Sequence, residues 1–252
     1  MNRAVGHLRV AAIIPALNEE QAIALVLRDI PASVAEEVIV VDNGSTDRTA
    51  QVAKSFGTRV LRESERGYGA ACLRGIKALG PEIDVVVFLD GDYSDYPEEM
   101  EELVAPIADN VADFVVGSRT LLAQSRKALS FQQRFGNGLA TRLVQWRFGF
   151  RYTDLGPFRA IRRDALDSLR MRDRGFGWTV EMQMKAACAG LRIQEVPVRY
   201  RSRVGRSKVS GTVRGAVGAG TKILYTIARH ALTFEDCGQG LRSTRASGAP
   251  AS

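Results

Sequence analysis

Cysteine and histidine are scarce in this 252-residue chain, with three of the first and two of the second. Cys72, Cys188 and Cys237 are scattered, odd in number and without metal-ligand spacing, so neither a zinc site nor a disulfide framework is indicated. A reducing compartment is the expectation. His7 and His230 stand alone and receive no role. Long apolar runs are missing too. The nearest is 215–232, GAVGAGTKILYTIARHAL, which Lys222, Arg229 and several glycines interrupt, so no membrane span is expected. The first ten residues are short and mixed, without the apolar stretch of a secretory leader. G-x-G-x-x-G and G-K-[ST] are absent, which disfavours nicotinamide binding and P-loop phosphate transfer.

What is present is the composition of a globular protein, 45% hydrophobic and 25% charged. The length suits one large domain, 1–235, followed by a small polar tail, 236–252, expected to lack order. A net charge of +7 favours phosphate-rich or anionic-membrane partners. Strands are expected over 10–17, within 36–47, which ends in a loop, and over 58–63, 84–90 and 112–119, with helices between them. Asn18 is read as a helix cap. Such alternation predicts an α/β fold with a Rossmann-like, mostly parallel sheet flanked by helices. Residues 120–150 read as helical, 178–190 as a helix ending at Gly190, 191–203 as a strand, and 215–232 as a last helix.

In parallel sheets, ligands gather outside the carboxyl ends of the strands. Here those ends carry Pro15, Leu17, Asn18 and Glu19; then Asp42, Asn43, Gly44, Ser45 and Asp47; then Asp90, Gly91 and Asp92; then Gly117, Ser118 and Arg119. Each piece alone could be a polar turn. Together they suggest a binding rim. Two carboxylates one residue apart, with Gly91 read as permitting the turn, can aim at one hard cation. Mg²⁺ or Mn²⁺ held by one or two carboxylates plus substrate phosphates fits that pattern. Asp42, an acceptor when ionised, suits a base N–H or a ribose hydroxyl.

The pieces IIPALNEE, VVDNGSTD, RGYGAA, FLDGDYSDYPEEM, VVGSR, TDLGPFRAI and RVGRSKVSG occur in that order from residue 11 to about 211. Together they resemble the family 2 glycosyltransferases of GT-A fold, and among them the polyprenyl-phosphate sugar synthases of the dolichol-phosphate mannose synthase kind. The resemblance implies that Pro15, Leu17, Glu19, Asp42 and Gly69 line the nucleotide pocket. It implies that Asp90, Gly91 and Asp92 hold the metal and donor diphosphate, and that Arg119 and Arg134, with Asn137, face an acceptor phosphate. Arg203, Ser207 and Lys208 would close over the phosphates, and Asp154 would sit near the reacting sugar. Ser94 stands where the family often has glutamine, and the Q-x-x-R-W motif of processive synthases is absent.

The implied reaction is an inverting transfer of a hexose from a nucleotide-sugar, UDP-glucose or GDP-mannose, to a polyprenyl phosphate. An ionised lipid phosphate needs no general base, so Asp154 would orient groups. A hydroxyl acceptor would need Asp154 or Glu181 as base; for Glu181 a helix-face role weighs equally. The six arginines of 159–174 read first as a solvated face and second as a membrane-facing patch. The last helix could lie on a bilayer. The protein is expected in the cytoplasm or peripherally on the inner face of the membrane. Rival readings are a transferase acting on a soluble small-molecule or cell-wall precursor, a sugar nucleotidyltransferase, which lacks its usual G-x-G-T-R-like loop here, and a nucleic-acid binder, which the acidic rim opposes.

Overall fold

The computed structural model describes residues 8–205 and 225–227. Expectations placed on the last helix, on Ser207 and Lys208 and on the 236–252 tail fall outside them, apart from 225–227.

Seven strands form one sheet in the order β3-β2-β1-β4-β6-β5-β7. They are β1 (Val10–Ala16), β2 (Glu37–Asp42), β3 (Arg59–Arg62), β4 (Val85–Phe88), β5 (Phe114–Ser118), β6 (Arg159–Arg162) and β7 (Ile193–Pro197). All pairings are parallel except those of β6, which runs antiparallel between β4 and β5. The continuous apolar runs of β1 and β4 are explained by burial on both faces. Successive residues point to opposite sides. Ile13 and Phe88 therefore enter one core with Val144, Phe148 and Trp178, while Ala12, Ile14 and Val87 enter the other with Ile23 and Leu103. Phe88 meets Trp178 edge-on, with ring centroids 5.9 Å apart.

The helices are α1 (Ile23–Asp29), α2 (Thr49–Ser55), α3 (Tyr68–Ile76), α4 (Met100–Ala108), α5 (Ala123–Ala128), α6 (Phe131–Phe148), α7 (Arg163–Leu169) and α8 (Trp178–Cys188). α6 begins in a full capping box, Ser130 with Gln133, and ends on Gly149 in the left-handed conformation. Among the described residues no helix is long and apolar enough to cross a membrane.

Several expectations need correction. Asn18 does not cap α1, which starts at Ile23 without a side-chain cap. Gly91 lies in the turn after β4, as expected, but without a positive φ, which in that loop falls on Tyr93, at 61°. The predicted strand over 191–203 is a strand over Ile193–Pro197, followed by one isolated antiparallel bridge from Tyr200 to Asp95, and α7 lies where no element was read. Cys72 is a buried free thiol. Of the six arginines of 159–174, Arg170, Arg172 and Arg174 are exposed, as the solvated-face reading has it, but the other three are not. Arg159 is buried and donates to the Gly156, Pro157 and Thr179 carbonyls. Arg162, Arg163 and Arg174 pair with Asp113, Asp167 and Glu65.

Candidate active site

β1 and β4 are neighbours, yet the chain leaves β1 toward β2 on one side and continues past β4 toward the opposite edge. Such a switch point opens a crevice at the carboxyl ends. Asp90, Gly91 and Asp92 lie just beyond β4, at this crevice. Asp92 is 9% exposed; its Oδ1 accepts from the Ser94 amide at 2.9 Å, and its Oδ2 lies 3.3 Å from Arg203 Nη1. Arg203 Nη2 donates to Glu19 Oε1 at 2.6 Å. One guanidinium thus bridges the loop after β1 and the loop after β4. Its Nε is buried without a hydrogen-bond partner among the described residues.

The acidic side of the crevice is under-compensated. Burial, and then the charge of Asp92, push the Asp90 carboxyl up to about 7. A third carboxylate, Asp95, is buried beside them and is pushed well above the usual range by burial and then by Asp90 and Asp92. Among the described residues, Oδ1 of Asp90 and Oδ1 of Asp95 are both buried with no hydrogen-bond partner. Unpaired buried carboxylate oxygens are costly. They fit a divalent cation, although the described residues contain no complete set of three ligating side chains. Such an ion would draw its remaining ligands from a diphosphate and water.

The nucleoside side is built by fastening two loops together. Asn18 sits at φ 51°, a conformation asparagine tolerates. Its Oδ1 accepts from the Thr46 amide at 2.7 Å and its own amide donates to Ser45 Oγ at 2.9 Å. The Glu19 amide donates to Thr49 Oγ1 at 2.7 Å. Asp42, buried at the end of β2, accepts from the Ser45 amide at 2.9 Å. Pro15 is buried opposite Val41, and Leu17 is half-buried just beyond the strand.

On the other side of the crevice, Arg119 and Asp154 form a bidentate pair. Arg119 Nε and Nη2 each reach an Asp154 oxygen at 2.8 Å, and the Arg119 amide donates to Oδ2 at 2.8 Å. Burial acts to lower the Arg119 pKa, but the contact with Asp154 raises it overall. The guanidinium also lies 5.0 Å from the centre of the Tyr200 ring. Asn137 on α6 brackets Asp154, donating to the Thr153 carbonyl and accepting from the Leu155 amide. Arg134, one turn earlier, is exposed.

Glu181 is buried, but it serves the 172–173 turn. It accepts from the Arg172 and Asp173 amides and pairs with Lys185 at 2.8 Å. Gly69 lies against that same segment. A Cβ there would stand 2.0 Å from the Asp173 carbonyl oxygen, so the absence of a side chain lets residues 173–175 close on α3.

Sequence reasoning passed over two residues that build the site, Asp95 and Glu195, and gave Asn43 a place on the rim without a role. Asp95 sits inside the quoted acidic stretch, three positions after Asp92. Asn43 accepts from the Gly67 amide and donates to the Glu63 and Glu65 carbonyls, holding the glycine-rich loop. Glu195 accepts from the Thr153 and Asp154 amides. For Glu195 no local signal exists, since its partners lie some forty positions away.

Comparisons with known proteins agree with this geometry. The model of the Glycosyl transferase family 2 matches residues 11–170. A dolichyl-phosphate hexose transferase of Haloferax volcanii is 33% identical over 209 residues, covering 82% of this chain and 89% of its own. An undecaprenyl-phosphate mannosyltransferase of Micrococcus luteus is 33% identical over 228 residues, covering 82% and 90%. Among solved structures, glucosyl-3-phosphoglycerate synthase from Mycobacterium tuberculosis, in complex with Mn²⁺, UDP-glucose and phosphoglyceric acid, superposes with a TM-score of 0.71. That alignment covers 89% of this chain and 80% of the other at 23% identity, which establishes the shared fold. With a strand-end carboxylate cluster on a seven-stranded sheet and a family match over most of its described length, this chain belongs to the family 2 glycosyltransferases.

Proposed function

We propose that the protein transfers a hexose from a nucleotide-sugar, UDP-glucose or GDP-mannose, to a polyprenyl phosphate on the cytoplasmic side of a membrane. One observation carries the choice of acceptor. Both carboxylates that could serve a hydroxyl acceptor as base are already committed: Asp154 to Arg119, and Glu181 to two backbone amides and Lys185. A hydroxyl nucleophile needs a base within hydrogen-bond reach. A phosphate monoester is already ionised near neutral pH and needs none. The two lipid-phosphate transferases at 33% identity support the same choice.

Asp90 and Asp92 would hold Mg²⁺ or Mn²⁺. When bound, such an ion offsets charge on the departing nucleoside diphosphate. Arg203, with a spare buried Nε, is placed to donate to a donor phosphate once it releases Asp92. Asp42 receives the nucleoside, and Glu19 positions Arg203. Asp154 locks Arg119 in one orientation, so that its guanidinium presents a fixed positive field to an acceptor phosphate. Displacement from the opposite face inverts the anomeric centre.

A second reading, a soluble phosphorylated acceptor, is motivated by the fold shared with glucosyl-3-phosphoglycerate synthase. The deciding experiment supplies labelled UDP-glucose or GDP-mannose with Mn²⁺ or Mg²⁺, and offers a polyprenyl phosphate and phosphoglyceric acid in parallel. Label extracted with the lipid, and lost in Asp92→Asn, is the expected result. Label appearing only in the water-soluble acceptor would replace the first reading by the second.

A further inference from the structure

Between Asp113 and Asp154 the chain holds seven lysines and arginines and no acidic residue. This stretch contains α5 and α6, and it carries the most exposed aromatic side chains of the described residues. Phe131 is 71% exposed, Phe135 66% and Trp146 83%, with Leu139 also exposed. At about 100° per residue these four positions fall within an arc of about 80° on α6. Arg142 lies inside the same arc and is exposed. The opposite face of α6, with Ala140, Val144 and Phe148, is buried in the core. Phe131 and Phe135 stack on one another, with centroids 6.4 Å apart, and lie open to solvent.

Leaving three aromatic rings in water along one helix is unfavourable unless something covers them. The charge around them selects what. Arg126 and Lys127 on α5 and Arg134 and Arg142 on α6 are all exposed, with no acidic neighbour in this part of the chain. A second copy of the chain would bring an identical basic patch against this one if the stripe paired with itself. A negatively charged lipid surface meets both needs, since aromatic rings settle at the headgroup level and arginines pair with anionic headgroups.

We propose that the exposed aromatic face of α6, with its arginine-rich surround, docks the protein peripherally on an anionic bilayer. The purpose of this surface rests on the lipid-acceptor reading above, though its evidence is independent of it. The inward side of the same helix holds the Asp154 loop through Asn137. Docking through α6 therefore brings the Arg119–Asp154 side of the crevice near the headgroups, where a lipid-borne phosphate would arrive.

The test uses the full chain, with vesicles of phosphatidylglycerol and phosphatidylcholine or of phosphatidylcholine alone, and with neither donor nor acceptor present. Trp146 and Trp178 are the only tryptophans, and Trp178 is buried. Emission from Trp146 should therefore shift to the blue on anionic vesicles, and Trp146→Phe should abolish the shift. Co-sedimentation should need the anionic lipid and weaken with salt. It should fall at least about tenfold in Phe131→Ser/Phe135→Ser/Trp146→Ser and in Arg126→Gln/Arg142→Gln. Because these side chains are exposed, circular dichroism and the unfolding midpoint should stay at wild-type values, which separates lost docking from misfolding. Equal sedimentation of the triple aromatic variant and wild type would overturn the proposal. So would a lipid-free dimer that the aromatic substitutions dissolve. Vesicle binding together with transfer only to a soluble acceptor would leave this surface standing and remove the lipid-acceptor reading.

Discussion

Arg119 holds Asp154 through two guanidinium nitrogens, each at 2.8 Å, and Asp154 has no exposed surface at all. A buried carboxylate stripped of its arginine is an uncompensated charge. Arg119→Ala is expected to destabilise the protein by about 3–5 kcal/mol and to abolish transfer. Replacing both partners by apolar residues, Arg119→Met/Asp154→Leu, should recover most of that stability in denaturant titration without recovering activity. Recovery of both would mean that the pair serves only the fold.

Arg203 has a different kind of partner. Its guanidinium spans Glu19 and Asp92, so it occupies negative charge that a cation would otherwise use. Arg203→Gln should bind Mn²⁺ alone more tightly than the wild type. The same variant should bind a nucleoside diphosphate about tenfold more weakly, because a charged donor to phosphate is lost. Calorimetric titration of the metal first and the nucleotide second reads the two effects separately. Asp92→Asn should weaken both.

The glycine-rich loop makes a steric prediction. A Cβ on Gly69 would lie 2.0 Å from a backbone carbonyl oxygen, which cannot swing aside as a flexible side chain could. Gly69→Ala is expected to cost about 1–3 kcal/mol through forced separation of α3 from residues 173–175. A thermal melt checks it, and Gly136→Ala is a control, since nothing lies within 4 Å of a Cβ there and its φ is not positive.

Acid should weaken one ion pair at the far edge of the sheet. Asp113 accepts from Arg192 and also faces Arg162, and the hydrogen bond from Arg192 holds its carboxyl below the usual value of 3.8. A carboxyl depressed in the folded state contributes stability above its unfolded pKa and loses it as pH falls through the lower, folded value. Asp113→Asn should therefore be destabilised near neutral pH by no more than about 1 kcal/mol, since the pair is partly solvated. The difference from wild type should vanish as pH drops well below 3.8. A difference that grew in acid would reverse the sign of the assignment.

Much of this architecture was legible because it is local. VAAIIPA and VVVF are uninterrupted apolar runs, and burial on both faces of a parallel sheet is what such runs require. Asp90 and Asp92 stood out because acidic residues rarely follow a buried strand without a reason. Asn18 was misread because a cap and a bridge between loops use the same side-chain oxygen; only the proximity of Thr46, 28 positions on, separates them. Gly91 sits in the turn as read, but the left-handed conformation in that loop belongs to Tyr93.

By itself, the amino-acid sequence determined the alternation of strands and helices, the family, and the placing of carboxylates at strand ends, because periodicity and motif order act over a few residues at a time. Which of those charges are free to do chemistry was decided only by the tertiary structure. Arg203 reaches Glu19 across 184 positions, Arg119 reaches Asp154 across 35, and Glu181 is spent on a turn. A carboxylate's role depends on the charge and water around it, and that surrounding is assembled from residues that only folding brings together.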